Sequence, residues 1–195
     1  MKTEYLEIEI APMAFINQSV GFLRAADAVC HAQLASTAVP VPPEPIHFLF
    51  AHALELAFKG YLRASGIPTK ELSHPMVGHH LGVLREMSSS LMKCLSADLQ
   101  RDVLNIIGIF DQSNQKMGLR YFTMSCQTFP ELGWARETIR HVVDAAGDTV
   151  KALDPLAARV GPAVKVNFTI SRPEAKGRRC STTAVACSSV DSSRN

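Results

Sequence analysis

Apolar residues recur at steps of three and four along most of the first 153 positions, which is the spacing of helices with one buried face. The pattern predicts five helices, over residues 12–35, 45–65 and 79–95, from Ser96 onward, and from Thr128 to about Leu153. An alternation typical of a strand begins only at Val164 and lasts a few residues. The pattern therefore predicts an all-α bundle.

Prolines and polar capping residues indicate where the predicted helices begin and end. Four prolines between positions 40 and 45 exclude a continuous helix, so an extended connector separates the first two helices. Ser96 is the predicted N-cap of the fourth helix. For the fifth helix, Thr128 and Glu131 have capping-box spacing, with Pro130 as an early helical residue.

The second predicted helix is apolar around most of its circumference, so we expect it at the centre of the bundle. Its exceptions form what we call the polar stripe: His52, Glu55, Lys59 and Arg63. At about 100° per residue, these four fall within a wedge of about 80°. Two interpretations remain open. The stripe is either a solvated edge, where a Glu-Lys pair contributes about 0.2–0.5 kcal/mol, or a semi-buried network of charge-assisted hydrogen bonds.

Composition changes towards the end of the sequence. Residues 171–195 contain no aromatic residue, leucine or isoleucine. Such a segment cannot bury enough apolar surface to offset the entropy lost on ordering. We therefore predict one helical domain over residues 1–160 and a mostly disordered C-terminal extension over residues 161–195.

The formal charge of +2 at pH 7 comes from this extension. Fifteen basic and sixteen acidic residues precede Ser171, so the helical region lacks the basic excess that supplies most non-specific affinity for nucleic acids. The five cysteines form no C-x-x-C pair and no signal-peptide pattern opens the sequence, which favours a cytoplasmic protein. No apolar run reaches the roughly 20 residues of a membrane-spanning helix, so no membrane partner is expected.

Three short motifs occur in a fixed order: HALELAFKGYL in the second helix, GHHLGVLREM at the start of the third, and KMGLRYF after the fourth. Together they resemble the HEPN superfamily over roughly residues 12–153. The resemblance implies an up-and-down bundle of four to five helices, commonly dimeric, in a prokaryotic defence or toxin-antitoxin-like role. It also implies RNA, a nucleotide or a cognate protein as partner. Many large apolar residues on the first, second and fourth helices likewise favour a homodimer.

The resemblance carries five residues over to this chain as a binding site or polar network: Glu55, Lys59, His79, Arg120 and Tyr121. His80 departs from the Asp or Asn that often occupies its position in the family. The departure removes a side-chain cap from the start of the third helix.

RNA-cleaving members of the family carry an Arg-x4-6-His motif, in which the His transfers protons and the Arg stabilises phosphate charge. Two segments match it, Arg136 to His141 and Arg24 to His31. A chain of this composition contains about 1.3 such matches by chance. Glu137 would also place an anion beside a phosphate bound at Arg136. The sequence therefore leaves a metal-independent endoribonuclease as an alternative, and a purely structural interaction module as a second one.

Three histidines, His74, His79 and His80, surround the start of the third helix and raise the question of a metal site. No cysteine or carboxylate pair stands at a recognisable ligand spacing nearby. We therefore expect neither a metal nor another cofactor.

Overall fold

A computed structural model describes residues 9–35, 43–114 and 128–153. Within these ranges the chain forms seven α-helices and no strand. The helices are α1 (Pro12–Ala35), α2 (Glu44–Ala64), α3 (Thr69–Leu72), α4 (Leu81–Met87), α5 (Ser89–Lys93), α6 (Ala97–Asn114) and α7 (Leu132–Leu153). The predicted all-α helical bundle is confirmed. The C-terminal extension predicted for residues 161–195 lies outside the described residues.

The third predicted helix, residues 79–95, is two helices. It breaks at Ser88, where φ is −89° and ψ is 25°, and α4 and α5 lie on either side. Three consecutive serines, 88–90, occupy the break, and serine side chains compete with the helical backbone for hydrogen bonds. The segment before it, expected as a loop, contains the short helix α3.

The starts of α6 and α7 test the predicted caps. Ser96 caps α6, because its Oγ accepts the backbone N–H of Leu99 at 3.3 Å. At α7 the capping-box prediction is wrong: the Glu131 carboxylate folds forward and accepts the N–H groups of Gly133 at 2.8 Å and Trp134 at 2.6 Å. The helix therefore begins at Leu132, after Pro130.

Helix α2 lies at the centre of the described bundle and packs against α1, α4 and α7. Every residue from Ala53 to Leu62 is buried. Helices α1 and α2 approach closely at Gly60, where a Cβ would lie 2.7 Å from Ile16 Cδ1 and 3.2 Å from the Pro12 carbonyl oxygen. Glu55 and Lys59, which lie within this stretch, are thus held in a tightly packed core.

His47, near the start of α2, is a polar residue inside this core. Its side chain is fully enclosed and its ring stacks on Phe129 with centroids 4.7 Å apart and an interplanar angle of 5°. Burial lowers the pKa of His47 from 6.5 to about 4. Its Nδ1 has no hydrogen-bond partner within the described part of the chain. The ring is therefore neutral at physiological pH and packs as a flat apolar group.

Most large apolar side chains of α1, α2 and α6 are buried within this one chain. Among all the described residues, five large apolar side chains are exposed, and they lie in different parts of the fold: Ile10, Met76, Val83, Leu104 and Leu153. Core packing thus accounts for much of the apolar excess that suggested a homodimer, and dimerisation stays a prediction. None of the described helices is long and apolar enough to cross a membrane.

Candidate functional site

Glu55 lies at the buried centre of an ionic cluster formed with residues of its own helix and of the turn before α4, whose histidines reach the surface. Glu55 and Lys59 are only 6% and 8% exposed, and Lys59 Nζ donates to Glu55 Oε1 at 2.7 Å. Glu55 Oε2 lies 3.3 Å from His79 Nδ1 and 3.6 Å from His52 Nδ1. We call these four residues the Glu55 cluster. The structure thus brings together three of the five residues that the family resemblance singled out.

The helical repeat and one tight turn build this cluster. His52, Glu55 and Lys59 stand three and four residues apart, so their side chains share one face of α2. His79 comes from the turn after α3, where Gly78 is buried against its own backbone. A Cβ at Gly78 would lie 3.2 Å from the carbonyl oxygen of His74, so a larger residue would strain the turn that carries His79.

Asp111 on α6 caps α4 from a distance. Its Oδ2 accepts the N–H of Gly82 at 3.1 Å, whereas the side chain of His80, at the N-cap position, makes no capping hydrogen bond. Burial raises the pKa of Asp111, and the backbone N–H groups of Gly82 and Leu81 act in the opposite direction. The cap that His80 cannot supply is therefore supplied from another helix. No local motif in the sequence marks Asp111 for this role.

The Glu55 carboxylate is ionised throughout the physiological pH range. Burial alone would raise its pKa, but the His52 ring nitrogen and the Lys59 ammonium outweigh burial and hold the pKa at about 2. A general base needs a pKa near the operating pH, so Glu55 is unsuited to that role. Lys59 is paired with Glu55 and only 8% exposed, so a ligand phosphate could reach its ammonium only beside the Glu55 carboxylate. The cluster is built to hold α2 and the turn before α4 together.

The remaining candidates of the polar stripe and the family motif lie elsewhere. Arg63 turns away from the cluster, and its guanidinium contacts Glu9 Oε2 at 2.9 Å and the Ile10 carbonyl at 3.1 Å. It therefore ties the segment before α1 to the end of α2. Arg120 and Tyr121 are outside the described residues.

The three histidines near the start of α4 have separate environments. His74 Nδ1 accepts the N–H of Met76 at 3.2 Å, and His79 faces Glu55. Across the described ranges, no group of three histidine, cysteine, aspartate or glutamate side chains is arranged to hold a metal ion.

A second candidate site is a cavity of about 580 Å³ between α1 and the start of α7. We call it the α1–α7 cavity. Its lining includes Asp27, Cys30 and His31 from α1, Glu131 just before α7, and Leu132 and Arg136 from α7. Cys30 and His31 follow Asp27 by three and four positions, which places all three on one face of α1.

An ion pair joins the two walls of this cavity. Asp27 accepts two hydrogen bonds from Arg136, with Nε–Oδ1 at 2.6 Å and Nη2–Oδ2 at 3.1 Å, while Nη1 lies 3.2 Å from Glu137 Oε1. The hydrogen bonds to Asp27 raise the pKa of Arg136. Burial and the neighbouring Asp27 charge raise the pKa of the Cys30 thiol, so Cys30 is a weak nucleophile.

Each of the two Arg-x4-6-His matches contributes one residue to the lining of the α1–α7 cavity. Arg136 and His141 are five positions apart, which is about 140° around a helix, and only Arg136 lines the cavity. His31, from the other match, lines the same cavity, whereas Arg24 is exposed on α1. The structure therefore brings together one residue from each match, a pairing that sequence spacing cannot reveal.

No protein-family model matches the chain, and no curated protein or solved structure matches it at significant similarity. The HEPN resemblance therefore rests on the three sequence motifs and stays a prediction.

Proposed function

We propose that this chain is a small HEPN-like binding or regulatory domain that takes its ligand in the α1–α7 cavity. The cavity is the observation that supports this function. Its volume of about 580 Å³ falls within the range of about 300–1,000 Å³ found for small-molecule pockets. Its described lining combines apolar surface at Leu132 and Cys30 with charged groups at Asp27, Glu131 and Arg136. Such a mixture is typical of sites that orient a ligand by a few polar contacts.

The described charge pattern favours a small molecule or a protein over an extended nucleic acid. Seven basic side chains are each within 4 Å of a carboxylate: Lys59, Arg63, Arg85, Arg101, Arg136, Arg140 and Lys151. Non-specific affinity for nucleic acids comes from Lys and Arg clusters that neutralise phosphates. Side chains already paired with carboxylates neutralise phosphates less well, because each pair must first be broken.

Ligand titration followed by NMR tests the proposed site. Adding AMP, short RNA and small organic fragments to ¹⁵N-labelled protein should shift the amide signals of Cys30 and Gly133 with at least one small-molecule probe. Cys30→Phe should weaken the shift at Gly133 by placing a bulky ring in the cavity. Cys94→Phe is the matched control, because Cys94 is exposed on the surface after α5 and does not line the cavity. Shifts confined to other residues would refute the site, and no shift with any probe would favour a purely structural module.

A metal-independent endoribonuclease is the second candidate function. It is favoured by His31 and Arg136 lining one cavity with Asp27, because a proton-transferring His and a phosphate-binding Arg are the groups such a reaction requires. Purified protein should then cleave RNA in EDTA. His31→Ala should abolish cleavage, whereas His141→Ala should not. Undiminished cleavage by both variants would rule out these histidines.

The homodimer is a separate part of the proposal. Light scattering at micromolar concentration should give twice the 21.3 kDa chain mass. A monomeric mass would remove the dimer and leave the ligand site untouched, because the described lining of the cavity comes from one chain.

A further inference from the structure

Arg136 is the one arginine in the described cavity lining, and its guanidinium is already hydrogen-bonded to carboxylates. A guanidinium binds carboxylates and phosphates best through two parallel N–H groups on one edge. Asp27 occupies the Nε–Nη2 edge with contacts of 2.6 and 3.1 Å, and Glu137 contacts Nη1. An incoming anion would have to displace Asp27 or approach the remaining N–H groups beside two carboxylates.

Both lining carboxylates keep hydrogen-bonding capacity for a cation. A carboxylate offers about four lone-pair sites. Asp27 uses two of them for Arg136, and Glu131 uses two for the backbone N–H groups of Gly133 and Trp134. These backbone contacts lower the pKa of Glu131, so it stays ionised at neutral pH. Each carboxylate can therefore still accept a hydrogen bond from a ligand.

The described lining has a formal charge of −1 when histidine is counted as neutral, because Asp27 and Glu131 outnumber Arg136. Leu132 and the half-buried Cys30 add apolar surface beside these charges. We propose that the α1–α7 cavity selects small organic cations, in which an ammonium or amidinium group is attached to an apolar body, over anions of the same size. This inference rests on the proposed function of the cavity as a ligand site.

Three probes that share a benzyl or phenyl body and differ in charge test this selectivity: benzylammonium, benzyl alcohol and benzoate. Each is titrated at pH 7 into ¹⁵N-labelled full-length protein, and the amide shifts of Cys30 and Gly133 are followed. Benzylammonium should bind about tenfold more tightly than benzoate, a difference of about 1.4 kcal/mol. Benzoate binding as tightly as benzylammonium would overturn the proposed selectivity.

Asp27→Asn isolates the origin of the preference. It removes one charge and releases the Nε–Nη2 edge of Arg136, so benzylammonium should weaken and benzoate should strengthen, each by about tenfold. Asp148→Asn is the matched control, because Asp148 pairs with Lys151 near the end of α7 and does not line the cavity. It makes the same change in net charge and should alter neither affinity. Equal effects of the two variants would show that overall charge, and not the cavity, sets the preference.

Glu131→Gln is a second variant in case Asp27→Asn does not fold. It changes the lining charge by the same amount without touching the ion pair between α1 and α7. Benzylammonium should again weaken by about tenfold, and unchanged affinity would contradict the proposal. If no member of the series shifts Cys30 or Gly133, the cavity is not a ligand site and the proposed function fails. If benzoate or benzyl alcohol binds best, only the cation selectivity fails.

Discussion

Replacing Lys59 by methionine removes the cation of the Glu55 cluster with little change in side-chain length. Among the described residues, the substitution leaves Glu55, 6% exposed, with only the ring nitrogens of His52 and His79 near its carboxylate. A buried charge that loses its partner cannot recover the hydration it gave up on folding. We therefore expect a large loss of stability at pH 7.

Two independent routes give the size of this loss. The pKa of Glu55 is lowered from its ordinary value of 4.5 to about 2, which corresponds to about 3 kcal/mol of stabilisation of the ionised form by its surroundings. Breaking buried ion pairs by removing one partner costs about 3–5 kcal/mol in general. Since His52 supplies part of the effect on Glu55, about 3 kcal/mol is the expected cost of Lys59→Met.

The free energy of unfolding from urea titrations, followed by helical circular dichroism and Trp134 fluorescence, measures this cost. Lys151→Met is the matched control, because Lys151 pairs with Asp148 on the surface and exposed pairs contribute only about 0–1 kcal/mol. The double variant Glu55→Met, Lys59→Met should be more stable than Lys59→Met alone, since it removes the unpaired charge as well.

The pH dependence provides an internal check. Without Lys59, the pKa of Glu55 in the folded state should rise. As the pH falls, Glu55 then takes up a proton and no longer places an unpaired charge in the core. The loss of stability measured at pH 4 should therefore be smaller than that at pH 7. A loss below 1 kcal/mol at pH 7, or a double variant less stable than the single one, would refute the view that Lys59 offsets the cost of burying the Glu55 charge.

Three further predictions concern stability. The pKa of His47 is about 4 in the folded chain and 6.5 when unfolded, so the unfolded state binds more protons between these pH values. The free energy of unfolding should therefore fall by about 3 kcal/mol as the pH drops from 6.5 to 4. His47→Phe should remove this decrease, measured as the urea midpoint against pH. Glu131→Ala should lower the free energy of unfolding by uncapping α7, whereas Thr128→Ala should leave it unchanged in the same titration. Asp111→Ala should cost about 1–3 kcal/mol and increase amide exchange at Gly82, whereas unchanged exchange would contradict the cap.

Periodicity alone was sufficient to predict most helices of the bundle. The bounds of α1 and α2 differ from prediction by at most one residue at each end, because their apolar spacing is long and the prolines before α2 admit few alternatives. Positions where a side chain competes with the helical backbone for hydrogen bonds were harder to predict. At Ser88 and Glu131, one side chain or one backbone angle decided where a helix broke or began.

The candidate sites show the same division between local and distant contacts. The helical repeat placed His52, Glu55 and Lys59 on one face, but it gave no information on whether Arg63 would continue inward or turn to Glu9. Asp27 and Arg136 lie 109 positions apart, and no motif links them. The α1–α7 cavity, which both residues line, could therefore not be predicted from one sequence.

Glu131 belongs to two structures at once, since its carboxylate both closes the first turn of α7 and lines the cavity. Any molecule that draws this carboxylate towards itself must loosen its hold on Gly133 and Trp134. Occupancy of the cavity should therefore be transmitted along α7 as a change in how readily its first turn frays.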